Sequence, residues 1–230
     1  MKKNHIWLIL VIFIFLGKTF LGTTEKEMNI LELDQDEKTG LVYIKDSKKI
    51  FTGVGKTYYE SGKLESIFRF KDGVLEGNGI GYYESGKIRT EKKFIDGKLD
   101  GSSKGYYENG KIAYEENYLN GKLNGNSKFY YENGNLKADL FYKNDMLDGT
   151  VIEYLEDGKK TSVSNYTNGK LEGEKLSYYK NGSLYIEANY SNDELDGDIK
   201  VYKKNGDLDY IAPCELLTTN TLRVLESRAS

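Results

Sequence analysis

The sequence predicts an all-β chain: an elongated, solenoid-like stack of antiparallel β-hairpin repeats forming a single-layer twisted or curved meander. Three observations carry this reading. Laying the chain against itself with an offset of 24 residues brings Gly62, Gly86, Gly110, Gly134, Gly158, Gly182 and Gly206 into one column with no insertions, and a fixed period of this size marks a repeat architecture. Apolar and polar residues alternate within each unit over runs too short for a helix, as half-buried strands do. Each run ends in a cluster of turn-forming residues.

Six full repeats begin at Ile50, Val74, Lys98, Lys122, Met146 and Lys170, and a seventh from Glu194 stops after about two thirds of its length. Numbered from 1 to 24 within the unit, four columns are apolar. Position 2 is Phe51, Leu75, Leu99, Leu123, Leu147, Leu171 and Leu195. Position 9 is always tyrosine: Tyr58, Tyr82, Tyr106, Tyr130, Tyr154, Tyr178 and Tyr202. Position 15 is Leu64, Ile88, Ile112, Leu136, Leu184 and Leu208, with Lys160 the exception. Position 21 is Phe70, Phe94, Tyr118, Tyr142, Tyr166 and Tyr190. The tyrosines of position 9 and the aromatics of position 21 are therefore expected to be core.

The first turn of each unit, Glu108-Asn109-Gly110-Lys111 and its equivalents, places the column glycine where a tight reversal needs a positive φ. At position 24 glycine gives way to Asp145 and Asp193, each preceded by asparagine, and Asx residues tolerate the left-handed region better than most. A two-residue loop would pair position 10 with 15, whereas a three-residue loop with a glycine bulge pairs 9 with 15. The second register is favoured because it is expected to set positions 9, 15 and 21 on one face. Tyr59, Tyr83, Tyr107, Tyr131 and Tyr179, at position 10, then point the other way and form an aromatic row on a mostly polar face. Tyrosine gives large contact area at low entropic cost, so this row is the candidate binding site.

One repeat alone has too few apolar side chains to offset the ordering of its own backbone. Stacking lets each hairpin cover its neighbour, so stability should grow with copy number. Seven repeats of two strands should extend ~65 Å at a strand spacing of ~4.8 Å.

The stretches YYESGKI at residues 82–88, YYENGKI at 106–112 and YLNGKLNG at 118–125 resemble the MORN-repeat family, in particular its bacterial variant, over about 160 residues at constant spacing. The resemblance implies an interaction module. Family members include antitoxin-like proteins and arrays beside kinase, junctional-membrane or cytoskeletal domains, associated with protein or lipid binding. The chain has no room for a kinase domain.

Around the array, residues 1–24 read as a secretory signal. Lys2 and Lys3 precede an unbroken apolar run, Ile6 to Leu16, which is short for a membrane span. Thr19, Gly22 and Thr24 are small enough for cleavage, and an uncleaved anchor over residues 6–21 is the alternative. The chain is thus expected to be exported: periplasmic, surface-associated or secreted. Residues 25–49 read as an N-terminal cap over the first hairpin, 50–211 as the array, and 212–230 as a C-terminal tail or cap in which Leu216, Leu217, Leu222 and Leu225 could line a short helix.

Composition narrows the partners. Removing Lys2, Lys3 and Lys18 from 33 basic residues leaves 30 against 36 acidic ones, a net charge near −6. That excludes nucleic acid from the expected partners and disfavours anionic membrane lipid, both of which are held through clustered Lys and Arg. The single cysteine, Cys214, has no partner for an intrachain disulfide.

No catalytic constellation is present. The only histidine, His5, lies in the signal, which removes His-based acid–base and nucleophile chemistry from the mature chain. Gly-Lys-Thr at residues 17–19 and 55–57 lacks the upstream glycine of a phosphate loop. Glu91, Glu115, Asp139 and Glu187 share position 18 beside basic residues, the pattern of a solvated face. Asp193, Asp196 and Asp198 read as a turn rather than a calcium site. The expectation is a non-enzymatic chain without cofactor or metal that binds a protein. A glycan or cell-wall module is the second reading, weakened because the only tryptophan, Trp7, lies in the signal. An antitoxin-like immunity role, implied by the resemblance alone, is the third.

Overall fold

The computed structural model describes residues 25–214. The expected signal or anchor and the tail from Glu215 onward lie outside them. Seven hairpins follow one another: Gly53–Tyr58 with Leu64–Lys71, Gly77–Tyr82 with Ile88–Ile95, Lys98–Tyr106 with Ile112–Leu119, Gly125–Tyr130 with Leu136–Lys143, Gly149–Tyr154 with Lys160–Thr167, Lys170–Tyr178 with Leu184–Ser191, and Ile199–Tyr202 with Leu208–Ala212. The second strand of each also pairs with the first strand of the next, giving one open, 19-stranded antiparallel meander. The parallel exception is Glu27–Asn29, which lies along Val54–Lys56 and covers the first edge. A small sheet of Leu33–Gln35, Val42–Ile44 and Lys49–Ile50 completes the cap. It is tied to the first repeat by Val42 N–H to Gly73 O and Phe51 N–H to Val42 O.

Both turns follow from residue type. In the first, the Gly110 amide donates to Tyr107 O and the Tyr107 amide to Lys111 O, with Gly110 at φ +87°. This is a type I turn closed by a left-handed glycine, and the same bonds recur in all seven repeats. In the second, two consecutive residues are left-handed, as a two-residue type I′ loop requires. Asp96 and Gly97 have φ of 48° and 76°, and the glycine-free version Asn144-Asp145 has 52° and 69°. The substituted aspartates add a bond, since Asp145 and Asp193 accept the amides of Leu123 and Leu171 through Oδ1.

Position 9 pairs with position 15 throughout, as in Tyr58↔Leu64 and Tyr106↔Ile112. Position 8, however, pairs with 17, as in Thr57↔Ser66 and Gly105↔Tyr114. Position 16 is thus an extra residue, a β-bulge in every second strand, and one extra residue exchanges the faces beyond it. The expectation that positions 9, 15 and 21 share a face is therefore corrected. Position 21 lies with 2, 6, 8, 17 and 19 on what we call the packed face, and position 9 lies with 5, 7, 15, 18 and 20 on the other.

Ring contacts agree with this division. Phe51 meets Phe70 at 5.6 Å, Phe68 meets Phe94 at 6.2 Å, and Tyr114 meets Phe129 at 6.4 Å, all on the packed face. Small residues at position 6 make room for the rings: Gly55 lies under Phe70, and Gly79 between Phe68 and Phe94. Position 6 is the most buried column, including Ser103, Ser127, Val151 and Ile199. At position 21, Phe70 is buried and Phe94, Tyr118, Tyr142, Tyr166 and Tyr190 are half-buried. The core assignment of position 9 needs correction too. Tyr58 is 44% exposed, and Tyr82, Tyr106, Tyr130, Tyr154, Tyr178 and Tyr202 are half-buried on the polar face.

Candidate binding groove on the packed face

The aromatic row of position 10 stands at the margin of the packed face. The bulge brings positions 10 and 16 together there: the rings of Tyr179 and Tyr185 are 4.5 Å apart, and Lys137 Nζ sits 5.7 Å from the centre of the Tyr131 ring. Each hydroxyl of the row reaches the next repeat. Tyr59, Tyr83, Tyr107, Tyr131 and Tyr179 donate to the carbonyls of Tyr82, Tyr106, Tyr130, Tyr154 and Tyr202 at 2.5–2.8 Å. These tyrosines are half-buried staples between repeats, on the face opposite to the polar one expected.

A matching set of staples holds the other margin. The position 3 carboxylates Glu76, Asp100, Asp148 and Glu172 accept the position 23 amides of Asp96, Asn120, Asn168 and Asn192. Backbone bonds from position 24 to position 2, such as Gly97 N–H to Leu75 O, repeat at the same place.

Between these margins the floor is set by positions 6, 8, 17 and 19, where residue type changes from repeat to repeat. Position 19 alone runs Phe68, Lys92, Glu116, Leu140, Ser164 and Ala188. Where the floor residues are large they fill the face: the Tyr114 ring lies so close on Gly105 that a Cβ there would be 2.0 Å from it. Where they are small, hollows open. One of about 500 Å³ in repeats 4 to 6 is lined by Leu147, Val151, Ser162, Ser164, Tyr166 and Ser177 among others. A second, of about 580 Å³, lies where the cap meets repeats 1 and 2, between Leu33 and Val42 on one side and Phe68, Phe70 and Leu75 on the other. The sequence reading missed this groove. Its signal was the small residues at position 6 opposite the rings of position 21, a match visible only once the bulge is known.

The opposite face carries a cross-strand ladder of alternating charge. Glu91, Lys104, Glu115, Lys128 and Asp139 are successive partners across five strands. Lys104 bonds Glu115 at 2.8 Å, and Lys128 stands 3.6 Å from Asp139. The position 9 tyrosines lie over this row, Tyr106 donating to Glu91 at 2.5 Å and Tyr130 to Glu115 at 3.0 Å. The bond to Glu91 pushes the Tyr106 phenol up to about 12, and burial followed by the bond to Glu115 does the same for Tyr130. The Lys104 ammonium, aided by the Tyr130 hydroxyl, holds the Glu115 carboxyl below its ordinary value. Half-exposed pairs of this kind contribute little each, and their partners are one another.

Among the described residues, no group of three or more His, Cys, Asp or Glu side chains is placed to hold a metal ion. The aspartates weighed for calcium serve the backbone instead: Asp193 Oδ1 accepts Leu171 N–H, and Asp198 Oδ1 accepts Cys214 N–H. No described helix is long and apolar enough to cross a membrane.

A search of characterised proteins finds no match to the chain. A family model described as a MORN repeat variant matches it six times in tandem, at residues 51–72, 75–96, 99–120, 123–144, 147–168 and 171–192. Each matched segment ends at the first left-handed residue of the second turn, and together they omit the truncated seventh hairpin. Together they cover more than half of the sequence, and the chain belongs to the MORN-repeat family.

Proposed function

We propose that the protein is an exported interaction protein that holds an extended segment of a protein partner in its packed-face groove. The observation that carries this is the contrast between margin and floor. Positions 2, 10 and 21 are held nearly constant by their structural tasks, while positions 6, 8, 17 and 19 differ in size and charge from one repeat to the next. A uniform frame with a varied floor can distinguish one stretch of a bound chain from another, and repeat arrays present such extended surfaces. MORN repeats in general are interaction modules without enzymatic activity, which supports a binding rather than a catalytic reading. Export rests on the basic start and apolar run of residues 1–24.

The test is affinity capture from cell-surface extracts with the purified protein and two single variants. Ser177→Phe fills the floor of the hollow in repeats 4 to 6 at a column where Phe129 already stands. Lys128→Ala removes a charge from the opposite face. Capture of a protein lost in Ser177→Phe and kept in Lys128→Ala supports the groove. Saturable binding to a purified polysaccharide, with no protein captured, would replace this reading with the glycan one. Sequencing the N-terminus of the native protein tests export, and an intact cytoplasmic Met1 would contradict it.

A further inference from the structure

The hollow beneath the cap differs from the rest of the groove in having walls on two sides. The small cap sheet faces the first two repeats across it, so a side chain entering would touch apolar residues of both while the mouth stays open to solvent. Its interior is apolar, formed by Ile30, Leu33, Val42, Phe68, Phe70 and Leu75, and its volume of about 580 Å³ falls in the range of ligand-sized clefts. Its rim is charged, with Asp34 on the cap and Asp96 on the second turn of repeat 2, opposed by the single ammonium of Lys98. Both carboxylates are exposed. Neither has an ion pair or a side-chain hydrogen bond among the described residues. Glu76, which accepts the Asp96 amide, adds a third carboxylate beside the same turn.

We propose that this hollow takes a bulky apolar side chain from a partner segment that carries a Lys or Arg next to it. The apolar interior supplies contact for the side chain, and Asp34 and Asp96 supply the counter-charge at the mouth. Such charges across an interface select the partner more than they add raw affinity. The proposal deepens the groove-binding reading and rests on it, because it assigns one end of the groove a defined preference.

Two of the three substitutions that test it already occur in equivalent columns. Asp96→Asn copies Asn120, Asn144, Asn168 and Asn192 at position 23, and Leu75→Phe copies Phe51 at position 2 while narrowing the hollow. Asp34→Lys reverses an exposed charge on the cap. Random 12-residue peptides displayed on phage would be selected on the purified protein, and enriched peptides measured by fluorescence polarisation. The expected result is enrichment of Phe, Trp, Leu or Ile beside Lys or Arg. Binding should weaken about tenfold or more in the double variant Asp34→Lys/Asp96→Asn and again in Leu75→Phe, and be unchanged in Lys128→Ala on the opposite face. Enriched peptides that lack the pair, or that lose binding in Ser177→Phe but not in the cap-end variants, would overturn this inference and leave the groove reading standing. Failure to enrich any peptide would overturn both. Concentration-dependent self-association abolished by Leu75→Phe would assign the hollow to a second copy and also overturn it.

Discussion

Replacing Tyr107 by phenylalanine separates two roles for the position 10 row. The substitution keeps the ring, and hence nearly all the contact area a binding surface would use, and deletes only the hydroxyl that donates to Tyr130 O at 2.6 Å. A net hydrogen bond of this kind contributes about 0.5–1.5 kcal/mol. Because the lost donor belongs to a half-buried side chain bridging two repeats, the upper part of that range is expected. Five such bonds span successive or near-successive repeats. Sites separated by about 10 Å act nearly independently, so the variant with all five replaced should lose roughly 5–7 kcal/mol. For a chain of this size each 1 kcal/mol shifts Tm by about 2–4 °C. The single variant should therefore melt about 2–5 °C lower by far-UV circular dichroism, and the fivefold variant far lower or not fold at all. If the fivefold variant melted within about a degree of the parent, the hydroxyls would not be staples. The row would then have to be explained by its ring faces alone.

Four further outcomes follow from the same geometry. Gly110→Ala, at φ +87° with open space around its Cβ position, should cost about 1–2 kcal/mol from backbone conformation alone, read as a lower urea midpoint with unchanged slope. Gly105→Ala, whose backbone is ordinary but whose Cβ would strike the Tyr114 ring, should be destabilising by about 1–3 kcal/mol; combining it with Tyr114→Ala should cost less than the sum of the two singles. Ser127, buried at 1% exposure with no hydrogen bond to its Oγ, should be replaceable by alanine with no loss or with a gain of up to about 1 kcal/mol in thermal melts. Stability should also fall at both ends of the pH scale. The depressed carboxyls Glu115 and Glu187 stabilise the fold above the unfolded value near 4.5 and lose that contribution as pH falls through their lower folded values. The raised phenols Tyr106 and Tyr130 stabilise it below about 10 and lose theirs as pH rises toward about 12. Glu115→Gln should flatten the acid limb of a Tm-versus-pH profile and leave Gly110→Ala's deficit unchanged across it.

The period, the type of the first turn, the left-handed residues of the second and the pairing of Tyr58 with Leu64 were legible because each depends on residue identity at fixed spacing: glycine or Asx where φ is positive, and alternation where a strand is half-buried. The face that each aromatic row occupies was not. It depends on the bulge at position 16, whose occupants Glu65, Arg89, Ala113, Lys137, Thr161, Tyr185 and Asp209 share no chemistry. A bulge demands an extra residue but no particular side chain, so it left no signature in that column. Its trace lay elsewhere, in Gly55 and Gly79, which are small because Phe70 and Phe94 lie over them. The same displacement moved the tyrosines of position 9 onto the charge ladder and those of position 10 onto the groove margin. The binding groove was accordingly hidden from a reading that sought it on the polar side. The cap hollow was hidden for a different reason: residues 25–49 lack the repeat, and nothing in their order announces that Leu33 and Val42 face Phe68 and Leu75.

The account stands on the claim that the array is an open sheet in which each 24-residue unit is held only by its neighbours. Deleting residues 98–121, one whole unit, and measuring the protein by small-angle X-ray scattering tests this directly. The account predicts a folded, β-rich chain shortened by ~9–10 Å, two strand spacings, with a denaturant slope reduced in proportion to the surface removed. Loss of folded structure, or an unchanged maximum dimension, would contradict it.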